Sequence, residues 1–258
     1  MVTQPLKFRK LAARAAAGGF ALLWATALPA QITQVDYTSL TGTEFISFDA
    51  IAGGPGAGTN YDGVTVIDGV AFGERFSGQT LTAMGDFDQL GGAPAGGLNL
   101  LSGAPGQNFA VFQSPAGKVL SGIGPGGFPS SNAIGEGAVS LLFSTGQSEF
   151  GFRLAGGHGA NAYINFFGGD GGLIQSFTLG NLPLISTYGF ARSGGLKDIR
   201  GISIWNDDPT GIGLAALRHD VVSMVPEPAT WAMMILGFGI VGASVRRRMR
   251  APARPAFQ

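Results

Sequence analysis

Short apolar and aromatic runs alternate with glycine-rich stretches through most of this 258-residue chain. Within many of the runs, apolar and polar positions alternate with a period of two, which is typical of a β-strand that has one buried face. Between residues 31 and 224, no run of ten or more residues has the spacing of a helix. We therefore predict ten to twelve short strands, within 43–50, 64–67, 70–72, 109–112, 119–123, 138–143, 149–154, 162–167, 173–179, 188–191, 199–205 and 214–222.

Two of the connections are typical of β-hairpins. Asp68 and Gly69 separate two short runs, and both residue types favour the positive φ angles of a type I′ turn. The run 162–167 returns through the glycine-rich turn 168–172 into the run 173–179. The chain has 44 glycines and no cysteine, so turns are plentiful and disulfides are excluded. These features predict an all-β fold, an antiparallel, jelly-roll-like β-sandwich that is held together by packing.

The N-terminal 30 residues have the pattern of a secretory signal peptide. An apolar segment, 15–28, follows a basic segment that contains Lys7, Arg9, Lys10 and Arg14. We predict cleavage by signal peptidase after Ala30, with Ala27 as the alternative site, and export by the general secretion machinery. The mature exported domain would then span residues 31–224.

The C-terminal region predicts a membrane anchor. Residues 229–245 form an uncharged apolar run of 17 residues, close to the ~20 that a spanning helix needs. Basic residues follow it directly and favour the cytoplasmic side of the membrane. We therefore predict a transmembrane helix over 229–245 within a sorting region 225–250, followed by a short cytoplasmic extension, 251–258.

Charge is distributed unevenly, although the whole chain has a formal net charge of zero. Residues 31–224 contain 7 basic and 15 acidic residues, which gives the exported domain a net charge of about −8. Basic residues at both ends and an acidic middle agree with outward translocation of the middle. Because nucleic acid would repel such a domain, we do not expect it to bind DNA or RNA.

The tail resembles a PEP-CTERM sorting signal. A Pro-Glu-Pro triplet, a WAMM segment, a GFG segment and an arginine cluster follow one another in the order of that signal. The residues that carry the resemblance are Pro226, Glu227, Pro228, Trp231, Gly237, Phe238, Gly239, Arg246, Arg247 and Arg248. The resemblance implies an exosortase as partner, transient anchoring in the inner membrane, cleavage near the triplet, and residence at the cell surface or in the exopolysaccharide matrix.

The middle of the chain resembles, more loosely, the sandwich domains that often precede such signals. The segments 150–174 and 201–222 carry this likeness, each with strands that are joined by a glycine-rich or Asn-Asp turn. Similar architecture occurs in carbohydrate-binding modules, but a likeness of fold specifies no ligand.

The residue types predict two candidate sites. Calcium prefers carboxylate and carbonyl oxygens, and one loop offers Asn206, Asp207 and Asp208 side by side. A structural ion that ties the first strand to the last would also use Glu44 or Asp49 with Asp220. The alternative is that Asp207 and Asp208 form the turn before Pro209.

Binding of a glycan requires an aromatic surface with polar groups beside it, and Trp205 and Tyr163 are our candidates. Trp205 lies in an alternating strand, and the pattern leaves open whether its ring faces solvent or the core.

Two classes of function remain. The first, which we favour, is a non-enzymatic surface or matrix protein that contacts exopolysaccharide, since no nucleophile motif occurs in the chain. The second is a secreted hydrolase of polysaccharide, which needs a pair of carboxylates across a cleft. The pattern does not single out that pair among Glu44, Asp49, Glu136 and Glu149.

Overall fold

The computed structural model describes residues 31–220 and, in the tail, Phe238 alone. The predicted signal peptide and, apart from that residue, the predicted transmembrane helix 229–245 lie outside the described residues. Within the described part of the chain, no helix has the length and apolar character to traverse a bilayer.

The described residues form nineteen short strands, more than the ten to twelve predicted. They are β1 (Ile32–Val35), β2 (Glu44–Ser47), β3 (Thr59–Tyr61), β4 (Thr65–Ile67), β5 (Val70–Gly73), β6 (Arg75–Phe76), β7 (Thr80–Met84), β8 (Phe87–Gly91), β9 (Leu100–Leu101), β10 (Phe109–Ser114), β11 (Gly117–Ile123), β12 (Ile134–Gly137), β13 (Val139–Gln147), β14 (Glu149–Gly156), β15 (Ala162–Phe167), β16 (Leu173–Leu179), β17 (Ile185–Arg192), β18 (Ile199–Asn206) and β19 (Ile212–His219). Three short 3₁₀ helices span Tyr37–Ser39, Phe48–Ala50 and Ser193–Gly195. The prediction of an all-β fold is confirmed.

Two large sheets contain most of the strands. The nine-stranded sheet has the order β1-β17-β14-β19-β11-β10-β3, with β12 beside β11 and β2 beside β19. The six-stranded sheet has the order β16-β15-β18-β13-β5-β4. The strands of both sheets pair in antiparallel fashion, as predicted, for example β14 with β19 and β15 with β18.

One hydrophobic core joins the two large sheets. Its central rings come from both of them: Phe166 of β15 lies 5.1 Å from Phe190 of β17 and 6.3 Å from Phe150 of β14, measured between ring centroids. Apolar residues at alternate positions of the central strands fill this core, for example Phe150, Phe152 and Leu154 of β14, while the intervening residues face away from it. The period of two in the sequence therefore reflects packing between facing sheets.

The two predicted hairpins are confirmed. Asp68 and Gly69 connect β4 to β5 with φ angles of 48° and 81°, as a type I′ turn requires. The residues 168–172 connect β15 to β16, whose bounds coincide with the predicted runs.

A small separate hairpin, β7–β8, lies in the stretch 77–106, for which the sequence pattern gave no strand. Its residue Leu90 packs against the six-stranded sheet, in a cluster with Ala138 and Trp205. This hairpin therefore covers part of the outer face of that sheet, and it forms one wall of the site described next.

Candidate functional site

The last residues of β18 divide between the two faces of the six-stranded sheet. Ile202 and Ile204 belong to the shared core, whereas Trp205 belongs to the small cluster beneath the β7–β8 hairpin. Ser203 alternates in the same sense as Trp205, and its hydroxyl lies 2.7 Å from that of Ser140 on the neighbouring strand. Trp205 therefore faces outward, but the hairpin covers it and leaves only 9% of the residue exposed.

Tyr163 and Trp205, the two predicted glycan-contacting residues, are directly opposed on β15 and β18. Their rings are stacked, with centroids 5.6 Å apart and planes inclined by 22°. Cross-strand pairs of this kind stabilise a sheet through contact between the ring faces. Since Trp205 is nearly buried, the half-buried Tyr163 ring offers most of the accessible aromatic surface.

A cleft of about 220 Å³ lies between this ring pair and the β7–β8 hairpin. The ring pair and the end of β18 form one wall, and the hairpin forms the other. The lining residues are Met84, Phe87, Asp88, Gln89, Tyr163, Trp205, Asn206 and Asp207. The cleft thus combines apolar walls with carboxylate and amide groups, a pattern that many small-molecule sites share.

Asp207 is held in place by a set of hydrogen bonds at the end of β18. Its carboxylate accepts from the backbone N–H of Asn161 at 2.7 Å and from the hydroxyl of Tyr163 at 2.8 Å. The side-chain amide of Asn161 also donates to it, at 3.0 Å to Oδ2. Burial acts to raise the pKa of Asp207, but these hydrogen bonds outweigh it and hold the pKa below the ordinary value. Asp207 is therefore a fixed negative charge in the cleft.

Asp88 is the second carboxylate of the cleft and has a different environment. It is 4% exposed, and its Oδ2 accepts from the backbone N–H of Ala138 at 3.2 Å. Burial raises the pKa of Asp88 to about 6, against the lowering effects of that hydrogen bond and of the Arg75 charge. At neutral pH this carboxyl is therefore mostly ionised, and it becomes protonated in mild acid.

Glu136 lies beside the cleft, on β12, and is 5% exposed. Among the described residues, no partner donates to its Oε2 atom. Burial, with a smaller contribution from the charge of Asp86, raises the pKa of Glu136 to about 7. The protonated form is thus favoured in the folded state, because ionisation would leave a buried charge without compensation.

We expect ionisation of Glu136 to lower the free energy of unfolding as the pH rises from about 4.5 to about 7. Because its folded-state pKa is raised from 4.5 to about 7, its stabilising contribution is complete below the unfolded value and is lost through this window. Glu136→Gln removes the titration and should be the more stable form at pH 8, by about 1–3 kcal/mol. Urea unfolding of both proteins across this pH range measures the difference, and near-equal stability at pH 4.5 is the internal control. Parallel curves at all pH values would contradict the assignment.

The five predicted calcium ligands are not brought together. All four carboxylate oxygens of Asp207 and Asp208 already accept N–H or O–H donors, those of Asp208 from His158, Ala160 and Thr210. Asn206 is equally committed, since its amide donates to Gly135 O and its Oδ1 accepts from Asp208 N. These hydrogen bonds hold the three side chains within the loop itself.

Asp220 and Glu44 lie at the opposite end of the sandwich. Asp220 accepts from Ser148 at 2.7 Å and lies 3.5 Å from Lys197, which precedes β18, whereas Asn206 is the last residue of β18. An eight-residue strand places its ends about 23 Å apart, so one ion cannot bridge them. Glu44 is opposed to His219 in the same end region. In the part of the chain from 31 to 220, no group of three or more acidic or histidine side chains is arranged to hold a metal ion.

Of the four carboxylates considered for a hydrolase, only Glu136 lies near the cleft. Glu149 is buried in the region of Glu44 and accepts hydrogen bonds from the hydroxyl of Thr41 and the backbone N–H of Gly42. Asp49 is exposed in the second 3₁₀ helix.

The hairpin that supplies Asp88 and Gln89 was missed by the sequence analysis. A usable signal was present, because Gly85 and Asp86 form a two-residue connection between β7 and β8, and Gly85 has a φ of 67°. β7 is exposed along its entire length, so no buried face imposes an alternation of apolar and polar residues on its sequence.

The fold and the cleft define an all-β domain with an aromatic and acidic site on one outer face. The tail that follows it carries a sorting motif: residues 225–248 match the PEP-CTERM protein-sorting motif. The chain is therefore a protein with a PEP-CTERM sorting motif, which supports export and processing by an exosortase. No curated protein matches the chain.

Proposed function

We propose that this protein is an exported component of the cell surface or extracellular matrix that binds exopolysaccharide through a non-catalytic β-sandwich. Sorting by an exosortase accounts for its delivery, and the cleft beside Tyr163 and Trp205 accounts for its retention in the matrix. The observation that carries the proposal is the stacked ring pair beside Asp207, in a cleft that also offers amide groups.

The proposed route to the matrix has three steps. Signal peptidase removes residues 1–30 during export, and the helix predicted over 229–245 then anchors the chain transiently in the inner membrane. An exosortase cleaves near Pro226–Pro228 and releases residues from about 31 onward to the outside. The net charge of about −8 on the exported part supports outward translocation.

A jelly-roll-like topology supports the comparison with carbohydrate-binding sandwiches. From β13 onward the chain passes repeatedly between the two large sheets: β13 lies in the six-stranded sheet, β14 in the nine-stranded sheet, β15 and β16 in the former, and β17 in the latter. The last two strands, β18 and β19, again divide between the sheets. Such alternation between facing sheets is a feature of jelly rolls.

The size and chemistry of the cleft suit part of a sugar chain. At about 220 Å³ it is smaller than the roughly 300–1,000 Å³ of typical small-molecule pockets, which suits one sugar residue of a longer polymer. The ring of Tyr163 would contact the apolar face of that sugar, while Gln89 and the carboxylates would bind its hydroxyl groups.

A secreted hydrolase is the second candidate, and one observation favours it. Asp88 and Asp207 line the same cleft, and their environments shift their pKa values in opposite directions, as in many acid–base pairs. However, both carboxylates are oriented by hydrogen bonds, Asp88 by Ala138 and Asp207 by Asn161 and Tyr163, which suits them to hold a sugar in place rather than to protonate or attack its glycosidic bond. We therefore favour binding without catalysis.

We expect Tyr163→Ala to weaken binding of the cells' own exopolysaccharide by about tenfold or more. Removal of the ring deletes the accessible aromatic surface, and tenfold corresponds to about 1.4 kcal/mol. Affinity gel electrophoresis of the full-length chain in detergent measures the retardation by the polysaccharide.

The control is Phe45→Ala, which removes an exposed ring from the nine-stranded sheet, far from the cleft in the fold. Equal retardation of wild type and Tyr163→Ala would overturn the proposed site. Assay of the same mixtures for new reducing ends separates the two candidates, since their release by wild type would favour the hydrolase.

A further inference from the structure

The charged residues that line the cleft beside Tyr163 and Trp205 are all acidic. Two of its eight lining residues, Asp88 and Asp207, are acidic, and none is basic. Asp86, in the exposed connection of the β7–β8 hairpin that forms one wall, adds to the same sign of charge. A neutral sugar would need hydrogen-bonding groups here, but it would not need two carboxylates.

The carboxylates of the cleft have no compensating cation in the described part of the chain. The ion pairs across residues 31–220 are Glu74–Arg75, Asp198–Arg192 and Asp220–Lys197, and none of them includes Asp88 or Asp207. Arg75 is the basic residue that acts on Asp88, but its guanidinium is already paired with Glu74. The cleft therefore presents uncompensated negative charge beside an aromatic surface.

Each carboxylate is positioned by neutral donors. Asp207 is oriented by Asn161 and Tyr163, and Asp88 by the backbone N–H of Ala138. Neutral donors orient a carboxylate without neutralising it, so its charge remains available to a ligand. Oriented charges of this kind cost little reorganisation when a cation binds.

The ring pair narrows the chemical class of cation that the cleft would bind. An ammonium group is attracted both by carboxylates and by the face of a Tyr or Trp ring. The apolar walls formed by Met84 and Phe87 would meanwhile cover the carbon framework that carries the ammonium group. A sugar ring with an amino substituent combines these features in one residue of a polymer.

We propose that the cleft binds an amino sugar with a free ammonium group, that is, a de-N-acetylated hexosamine residue of a polysaccharide. This inference rests on the proposed function, and it adds a chemical class of ligand to it. An acetylated amino sugar lacks the positive charge and would leave Asp207 and Asp88 without a counter-ion.

The test is calorimetric titration of the full-length chain in detergent with three hexasaccharides that share a β-1,4-linked backbone. They are the hexamer of glucosamine, its fully N-acetylated form and the corresponding hexamer of glucose. We expect the glucosamine hexamer to bind about tenfold or more tightly than either of the others, as one charge-assisted hydrogen bond allows.

Substitutions locate the source of this preference. Asp207→Asn and Asp88→Asn should each remove most of the preference for the glucosamine hexamer over the glucose hexamer, measured as the ratio of the two affinities within each variant. The matched control is Asp68→Asn, which removes one exposed charge at a turn where Asn is equally suited to the positive φ. Asp68→Asn should keep the full preference for the glucosamine hexamer. That result would exclude a general attraction between a polycation and the acidic domain as the source of the preference.

The possible outcomes separate this inference from the proposed function. Equal binding of all three hexamers, with loss in Tyr163→Ala, would leave the proposed function intact and overturn the amino-sugar inference. Absence of binding to all three hexamers and to exopolysaccharide would overturn both. Binding of hexalysine as tightly as the glucosamine hexamer, or an unchanged preference in both Asn variants, would also overturn the inference. Circular dichroism verifies folding, and two independent Asn variants guard against a single misfolded one.

Discussion

Replacement of Pro226, Glu227 and Pro228 by alanine should abolish release of the shortened protein and trap a longer form in the membrane. These residues lie at the start of the matched sorting motif, residues 225–248, and the triplet is the part that the resemblance assigns to exosortase recognition. The apolar run 229–245 would be unchanged in the variant, so export and anchoring should proceed as before. Mass spectrometry of culture fluid, cell surface and membrane fractions measures the termini of each form.

The matched control lies in the same tail but outside the motif. Pro252 and Pro255 belong to the extension that follows residue 248, and their replacement by alanine should leave processing normal. Release of the triple variant with the same trimmed C-terminus as wild type would contradict sorting through the triplet. An intact C-terminus in wild type itself, confined to the membrane, would indicate a permanently anchored protein.

The elements that sequence reasoning predicted best are those with local signals. The bounds of the β15–β16 hairpin are sharp because Gly168 and Gly172 begin and end the five-residue turn and because the runs on both sides alternate. The β4–β5 hairpin depends on Asp68 and Gly69, whose residue types report the φ angles directly. In each case the information lies within eighteen or fewer consecutive residues.

The cleft was harder to predict because it depends on contacts between distant segments. Tyr163 and Trp205 were recognised as amphipathic aromatics, but their pairing requires the register of β15 against β18, which no local pattern encodes. Asp88 became part of the site only through the β7–β8 hairpin, whose exposed first strand carries a weak pattern. Asp207 and Asp208 were noticed as adjacent carboxylates, but apart from Thr210 the donors to them come from residues 158–163, more than forty positions away.

The distance between Asp207 and Asp220 in the fold also could not be predicted from local sequence. Asp220 and Asp207 are thirteen positions apart in the sequence, and a loop and the strand β19 lie between them. Because β19 is an eight-residue strand, it carries the chain by about 23 Å, from the end of the fold that holds Asp207 to the end that holds Asp220. Residue spacing alone therefore could not decide whether these carboxylates share an ion.

Phe166→Ala should lower the free energy of unfolding by about 3–5 kcal/mol, the largest loss of stability that we expect from a single substitution. The ring is fully buried and contacts rings of both large sheets, at 5.1 Å from Phe190, 6.3 Å from Phe150 and 5.9 Å from Phe177 between centroids. Its removal leaves a cavity at the centre of the only large core in the described residues, where neighbours on two sheets cannot close the space together. Urea unfolding monitored by circular dichroism gives the difference.

Phe45→Ala is the matched control, because Phe45 is 55% exposed and contacts the guanidinium of Arg218 rather than the core. We expect this control to lose less than about 1 kcal/mol. Phe166→Leu, which retains most of the volume, should lie between the two and remains measurable if the alanine variant does not fold. If Phe166→Ala and Phe45→Ala had similar stabilities, the two sheets would not depend on a shared aromatic core. Because the chain has no cysteine, the stability of the domain would then need a source other than this core or disulfides.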